Sequence, residues 1–158
     1  MKTMIMDSIL IEVSAILNQR FDTIPLLYGS YALQKVLDKD YQARDIDLLI
    51  DENILKNKIE LISAFVMKGF AYIHQEVLTF EKNGIEIEIS NLEKWIENSS
   101  FEIEENELIQ ESGSKFYLLS ANNLKRLYQF LLSDKRRSNE KKQKDQEKLN
   151  DLRMFLER

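Results

Sequence analysis

Residues 25–50 read PLLYGSYALQKVLDKDYQARDIDLLI. A short apolar run, Leu26-Leu27-Tyr28, stops at Gly29-Ser30. After a spacer of fourteen residues, Asp45-Ile46-Asp47 opens a second apolar run, Leu48-Leu49-Ile50. Side chains two apart on a strand share a face, with Cα atoms roughly 6.5–7 Å apart. Asp45 and Asp47 therefore project together, and Ile46 turns to the core. Neighbouring carboxylates repel and raise one another's pKa unless a cation lies between them. A hard divalent ion such as Mg²⁺ takes such oxygen ligands. The competing reading is a strand end with two solvent-facing acids.

Three features around the pair favour a site. Gly29-Ser30 follows a strand and opens a helix, where glycine lets backbone approach a phosphate and the serine hydroxyl and helix amides donate to it. Ile85, Ile87 and Ile89 alternate with Glu86, Glu88 and Ser90, which places further carboxylates on one face of a later strand. The order is also consistent: strand, Gly-Ser, helix, acid-bearing strand, later acid-bearing strand.

The remaining pattern predicts a mixed α/β (α+β) chain. Met6, Ile9, Leu10, Val13, Ile16, Leu17 and Phe21 fall at helical spacing over 5–21. One helix is expected over 53–67 with Leu55, Ile59, Ile62, Phe65 and Val66 inward, closed by Gly69. A strand follows over 70–75. The stretch EVLTFEKNGIEIEIS reads as a hairpin turning at Asn83-Gly84, a pair suited to a type I′ turn. KFYLLS reads as a short strand, and Ser120 as the N-cap of a helix burying Leu124, Leu127, Tyr128, Leu131 and Leu132. A last helix buries Leu149, Leu152, Phe155 and Leu156. Trp95 reads as core; Phe116, Tyr117, Tyr128 and Phe130 could stack a base, but their spacing favours core packing; and His74 reads as packing or surface.

The motifs resemble those of the polymerase-beta-type nucleotidyltransferase superfamily: an apolar residue with Gly-Ser (Tyr28-Gly29-Ser30), then Asp-apolar-Asp-apolar (Asp45-Ile46-Asp47-Leu48). The spacer is slightly longer than is usual there, which a longer loop over 38–44 would absorb. The resemblance covers residues 24–90. It implies a twisted mixed sheet flanked by helices and transfer of a nucleoside monophosphate from an NTP, ATP among them, to an acceptor hydroxyl. Two Mg²⁺ ions are implied on Asp45, Asp47 and a third acid. Glu88, deeper in its run, is favoured over Glu86. Gly29 and Ser30 would fix the phosphates. More loosely, LLSANNLKRLYQFLL and KKQKDQEKLNDL resemble the helical tail of toxin-like and antibiotic-modifying nucleotidyltransferases. On that resemblance Lys125, Arg126 and Lys144 become candidates for triphosphate or acceptor contact, against the alternative of solvated surface charge.

Composition bounds the reading. A chain of 158 residues, 44% hydrophobic and 31% charged, fits one core, with 1–119 as the catalytic unit and 120–158 as a helical extension packed on it. No apolar stretch has the length of a membrane span, and no secretory leader pattern opens the chain, so a cytoplasmic location is expected. With no cysteine and one histidine, thiolate and histidine-rich metal sites are excluded. The net charge of −5 disfavours indiscriminate nucleic-acid binding, yet residues 135–148 hold seven Lys or Arg against three acids. That local basic face suits an anionic ligand. The acceptor stays open between a small molecule and a tRNA, and a homodimer is a further possibility. Three other readings stand beside the enzyme: a non-catalytic, antitoxin-like regulatory partner on the same fold, a hydrolase using Asp45 and Glu88 as acid and base, and a plain interaction module. The tandem spacing of Asp45 and Asp47 argues against the hydrolase, whose two acids must flank the scissile bond.

Overall fold

In the computed structural model, which describes residues 2–158, the two acid-bearing segments lie side by side in a mixed sheet. Strand β1 (Leu26–Tyr28) runs into helix α2 (Gly29–Leu37), and the chain returns as β2 (Asp45–Ile50) antiparallel to β1. Ahead of them, α1 (Lys2–Phe21) packs on α4 (Lys58–Met67) and on β7 (Ser114–Leu118). Strands β3 (Ala71–Ile73), β4 (Leu78–Lys82) and β5 (Ile85–Asn91) follow, then α5 (Leu92–Ser99) and the edge strand β6 (Glu107–Glu111). The seven strands are ordered β3-β4-β5-β2-β1-β7-β6, with β2 parallel to β5 and β1 parallel to β7. Helices α6 (Ala121–Ser133) and α7 (Asn139–Leu156) close the chain, packed on each other. No described helix is long and apolar enough to cross a membrane.

One face of the central strands makes the core. Phe80, Ile87 and Ile46 are aligned across β4, β5 and β2, and none is exposed. Phe65 of α4 stacks on Phe80 with ring centroids 4.3 Å apart. The hairpin forms at Asn83-Gly84, both at positive φ as a type I′ turn requires. Ser120 caps α6, its hydroxyl accepting from the amide of Asn123 at 3.1 Å.

One expectation needs correction, and one strand lies where none was read. The segment 53–67 is not one helix: a short α3 (Glu52–Leu55) ends before Asn57, and α4 restarts from there. The restart shifts the helical phase, so Leu61, Ala64 and Phe65 face inward, while Ile59 is 84% exposed and Val66 is 49% exposed. The acidic stretch before KFYLLS hides β6, which pairs with β7 through a turn at Ser112-Gly113. An edge strand exposed along most of its length shows little apolar alternation.

Two local devices hold the segments beside the central strands. The Gln34 side chain of α2 accepts from the amides of Tyr41 (2.9 Å) and Ala43 (2.8 Å), fixing the long loop before β2. In the turn between α6 and α7, the Arg137 guanidinium donates through Nε and Nη2 to both oxygens of Asp145, a fully buried carboxylate on α7. Asp145 is fully buried but Arg137 is 25% exposed, so removing Asp145 leaves a guanidinium that keeps water on one side and loses its charge-assisted hydrogen bonds. Asp145→Ala is therefore expected to lower the unfolding free energy by about 1.5–3 kcal/mol, read by urea titration; a loss under about 0.5 kcal/mol would show that the pair does not organise this end of the fold.

Candidate active site

The sheet aligns the candidate residues by register. Asp47 of β2 lies opposite Glu88 of β5, with Tyr28 of β1 on its other side and Thr79 of β4 beyond Glu88. Cross-strand partners share a face, so one row runs across four strands as Tyr28, Asp47, Glu88, Thr79. The next row pairs Asp45 with Glu86. Asp45, Asp47 and Glu88 line a cleft of about 990 Å³, and Glu86 is not among its lining residues.

Burial and repulsion act together on the acids. Asp47 is held well above the usual carboxylate range, first by burial and then by Glu88, which lies within hydrogen-bonding reach; Asp45 adds to this and Lys148 opposes it. Asp45 is also raised, by burial and then Glu88, with Lys2 and Arg44 opposing. Burial chiefly raises the Tyr28 phenol, and Asp47 beside it adds to the effect.

Gly29 sits against this pair. It has φ +79°, and a Cβ built on it would come within 2.5 Å of Asp47 Oδ2. Glycine is therefore required twice, for the backbone angle and for the close approach. Ser30 accepts a hydrogen bond from Lys148 Nζ at 2.9 Å. Burial lowers the Lys148 ammonium pKa, with Asp145 and Asp47 pulling the other way.

The opposite wall is α7. Lys141, Lys144 and Lys148 line the cleft at i, i+3 and i+7, one helical face. Arg137 lines it from the preceding turn. The 38–44 loop closes one end, where Tyr41 (2.6 Å) and Lys39 (3.0 Å) both donate to Asp151 of α7.

Of the residues expected from sequence, Ser30, Asp45, Asp47, Glu88 and Lys144 line the cleft. Gly29 lines a smaller recess that opens beside Ser30 and Asp47. Lys125 and Arg126 lie on α6 and line neither cavity; Arg126 instead pairs with Glu105 at 3.2 Å and donates to Asn123 at 2.7 Å. Sequence reasoning missed Lys148 and Arg137. Helical phase with Lys144 was the available signal, but the basic run offers too many cations to choose among.

Among the described residues no three acid or histidine side chains already stand together as a cage for an ion. Mg²⁺ does not require one, because it binds through one or two carboxylates and completes its octahedron with water and substrate phosphates. The mutually repelling Asp47 and Glu88 pair, facing lysines suited to phosphate, fits that donor chemistry.

The same architecture occurs in proteins of solved structure. An antigenic nucleotidyltransferase-like protein from Paracoccidioides brasiliensis is 18% identical, with 90% of this chain and 73% of that one covered at a TM-score of 0.61. ANT(2")-Ia in complex with adenylyl-2"-tobramycin is 13% identical, with 94% and 88% covered at a TM-score of 0.57. No family model matches the chain. The fold is that of these nucleotidyltransferase-like structures. The chain belongs to the family of the uncharacterized protein YnaI of Bacillus subtilis (strain 168), to which it is 31% identical over 147 residues, 92% of this chain and 94% of that one.

The raised acid predicts a stability trade. A carboxyl group whose folded pKa exceeds its unfolded value favours folding at low pH and loses that contribution as pH rises through the folded pKa. Asp47→Asn removes the loss, so in chelator at pH 7 the variant is expected to melt higher, by about 2–4 °C per kcal/mol gained, with the gap closing toward pH 4. An equal or lower melting temperature at pH 7 would refute the repulsion. Gly29→Ala is expected to cost about 1–3 kcal/mol, measured by the same melts.

Proposed function

We propose that the protein transfers a nucleoside monophosphate from an NTP to a hydroxyl of a small-molecule acceptor. The observation that carries the reading is the juxtaposition around one cleft of Ser30, with Gly29 beside it against Asp47, the in-register Asp47 and Glu88, and the cationic face of α7. Separately, each feature is common in proteins with no such activity.

On this reading, Ser30, the amides opening α2 and Lys148 hold the β- and γ-phosphates, with Lys144 and Lys141 along the same wall. Asp45, Asp47 and Glu88 would hold Mg²⁺, two ions on the superfamily resemblance, which supplies neutralisation of phosphate charge and a more acidic acceptor hydroxyl. The acceptor oxygen bonds to the α-phosphorus as the bond to the β-phosphate oxygen breaks. Pyrophosphate leaves along α7, and the hydroxyl proton leaves through the open side of the cleft. The chain's own contribution is position and fixed charge; no covalent nucleophile is needed. A cleft of about 990 Å³ is at the upper end of small-molecule sites, room for a nucleotide and a compact acceptor. The adenylylated product bound to ANT(2")-Ia makes ATP the first donor to test.

The test is calorimetric titration of each NTP with and without Mg²⁺, into the native protein and into Asp45→Asn/Asp47→Asn. Mg²⁺-dependent binding of at least one NTP is expected, weakened at least about tenfold in the double variant, the equivalent of 1.4 kcal/mol. Pyrophosphate release on adding polyhydroxylated acceptors then reports turnover. A folded protein that binds no NTP under either condition would refute the proposal.

A further inference from the structure

The sheet has two open edges, and the chain treats them differently. Strand β6 carries an acid at each end, Glu107 and Glu111. Pairing it antiparallel with a second β6 about Ile109 would set Glu107 against Glu111 twice over, and charge on an edge strand resists such pairing. The other edge, β3, is Ala71-Tyr72-Ile73, with neither a charge nor a proline in it and no bulge in its pairing with β4.

An apolar stripe lies beside that open edge. Ile59, Ile62 and Val66 fall at i, i+3 and i+7 on α4, one helical face. Ile59 and Val66 are exposed, and Ile62 is partly buried. Three contacts fix where the stripe points. Ala64 lines a groove against α1, Phe65 stacks on Phe80 of β4, and the Lys58 ammonium lies 6.0 Å from the centre of the Tyr72 ring of β3. Going round α4 from the α1 side, the order is Ala64, Phe65, Lys58, Ile62, Val66, Ile59. The stripe therefore lies beyond Tyr72, over the open edge. Single exposed apolar residues are ordinary; a stripe of them continuous with an unpaired strand edge is the pattern of an association surface.

We infer that this face joins two copies of the chain across a two-fold axis, β3 antiparallel to β3 and α4 beside α4, in one sheet continuous through both. Three observations favour a second copy over a different partner. The stripe is self-complementary: when α4 meets its own mate antiparallel about residues 62–63, Ile59 of each copy lies against Val66 of the other. The same axis serves the strands. The Phe70 amide donates to the Phe65 carbonyl at 3.1 Å, so the chain reverses there, and Tyr72 lies two residues, about 6.6 Å, further along β3. That length is about four residues back along α4, so an axis through Tyr72 crosses α4 within about half a turn of the middle of the stripe. The charges agree as well. Exposed Lys68 stands three residues before β3 and exposed Glu76 three residues after it, and neither forms an ion pair among the described residues. Antiparallel pairing brings unlike ends together, Lys68 of each copy toward Glu76 of the other. None of these residues lines the main cleft, so the inference stands apart from the catalytic reading.

Sedimentation equilibrium over a concentration series tests it on the native chain and on variants at exposed positions, where the fold has little to lose. The native protein is expected to approach twice 18.7 kDa. Ile59→Glu should raise the dissociation constant of the dimer by at least about tenfold. Lys68→Glu and Glu76→Lys each set like charges together and should each weaken the dimer by about tenfold. The double reversal Lys68→Glu/Glu76→Lys should restore it, because the unlike ends then meet again across the axis. Circular-dichroism melts confirm that each variant is folded. A native protein that stays at 18.7 kDa at every soluble concentration overturns the inference and leaves the face to a partner of another kind. A dimer indifferent to Ile59→Glu and to both single reversals uses another surface and overturns it too. Single reversals that weaken the dimer without rescue in the double variant would overturn the antiparallel arrangement.

Discussion

Asp47 and Glu88 stand opposite each other on adjacent strands at the centre of the sheet, and the ladder between those strands will not let them part. Neighbouring strands are held about 4.8 Å apart by their hydrogen bonds. Separating the carboxylates by moving backbone would break the parallel pairing of β2 and β5 along its length. The repulsion can be relieved only by a shared proton or by a cation supplied from outside the strands. The rest of the site reads as a response to this constraint. Gly29 admits the β1–α2 turn against Asp47, and Lys148 brings positive charge from the far end of the chain. A sheet that pays this penalty in stability is built for something other than stability.

The two halves of the site come from different sources. The anions belong to the sheet, where register fixes them to a fraction of a strand spacing. The cations belong to α7, whose Lys148 reaches Ser30 from 118 residues away. Docking of α7 rests on its packing against α6 and on the Arg137–Asp145 pair. The carboxylate face can therefore form with the sheet, but it acquires its counter-charge only once the last helix is in place. The strap from Tyr41 and Lys39 to Asp151 adds a second tie between the sheet side and the same helix.

How much of this the sequence disclosed depended on whether the signal was local. The Asp-Ile-Asp strand, the turn at Asn83-Gly84 and the Ser120 cap each follow from neighbouring residues, and each appears where it was expected. The phase of α4 did not follow, because a break at Asn57 between two helices leaves the run of apolar residues unchanged while rotating the face they present. Strand β6 was obscured by its own exposure: an edge strand that buries almost nothing carries no alternation to read. Glu88 was favoured over Glu86 only for its deeper place in one alternating run; inter-strand register separates the two, setting Glu88 against Asp47 and Glu86 against Asp45. Trp95 read as packing from its helical spacing, and only the placement of α5 beside α6 shows it at the edge of a recess.

The charge on the two walls also resolves how an acidic protein would take up an anion. The chain carries −5 overall, so a polyphosphate approaching at random meets net repulsion. Lys141 and Lys144 are exposed on α7, whereas Lys148 is partly buried against Ser30 and the Tyr128 ring. Exposed charges act over a distance but are screened within roughly 8–10 Å at physiological ionic strength. A partly buried ammonium is screened much less by salt. On the proposed reading the outer lysines set how fast the nucleotide arrives, and Lys148 sets where its phosphates stop. Net charge therefore says little about the ligand of such a site, because the relevant field is that of one helix face against one row of a sheet.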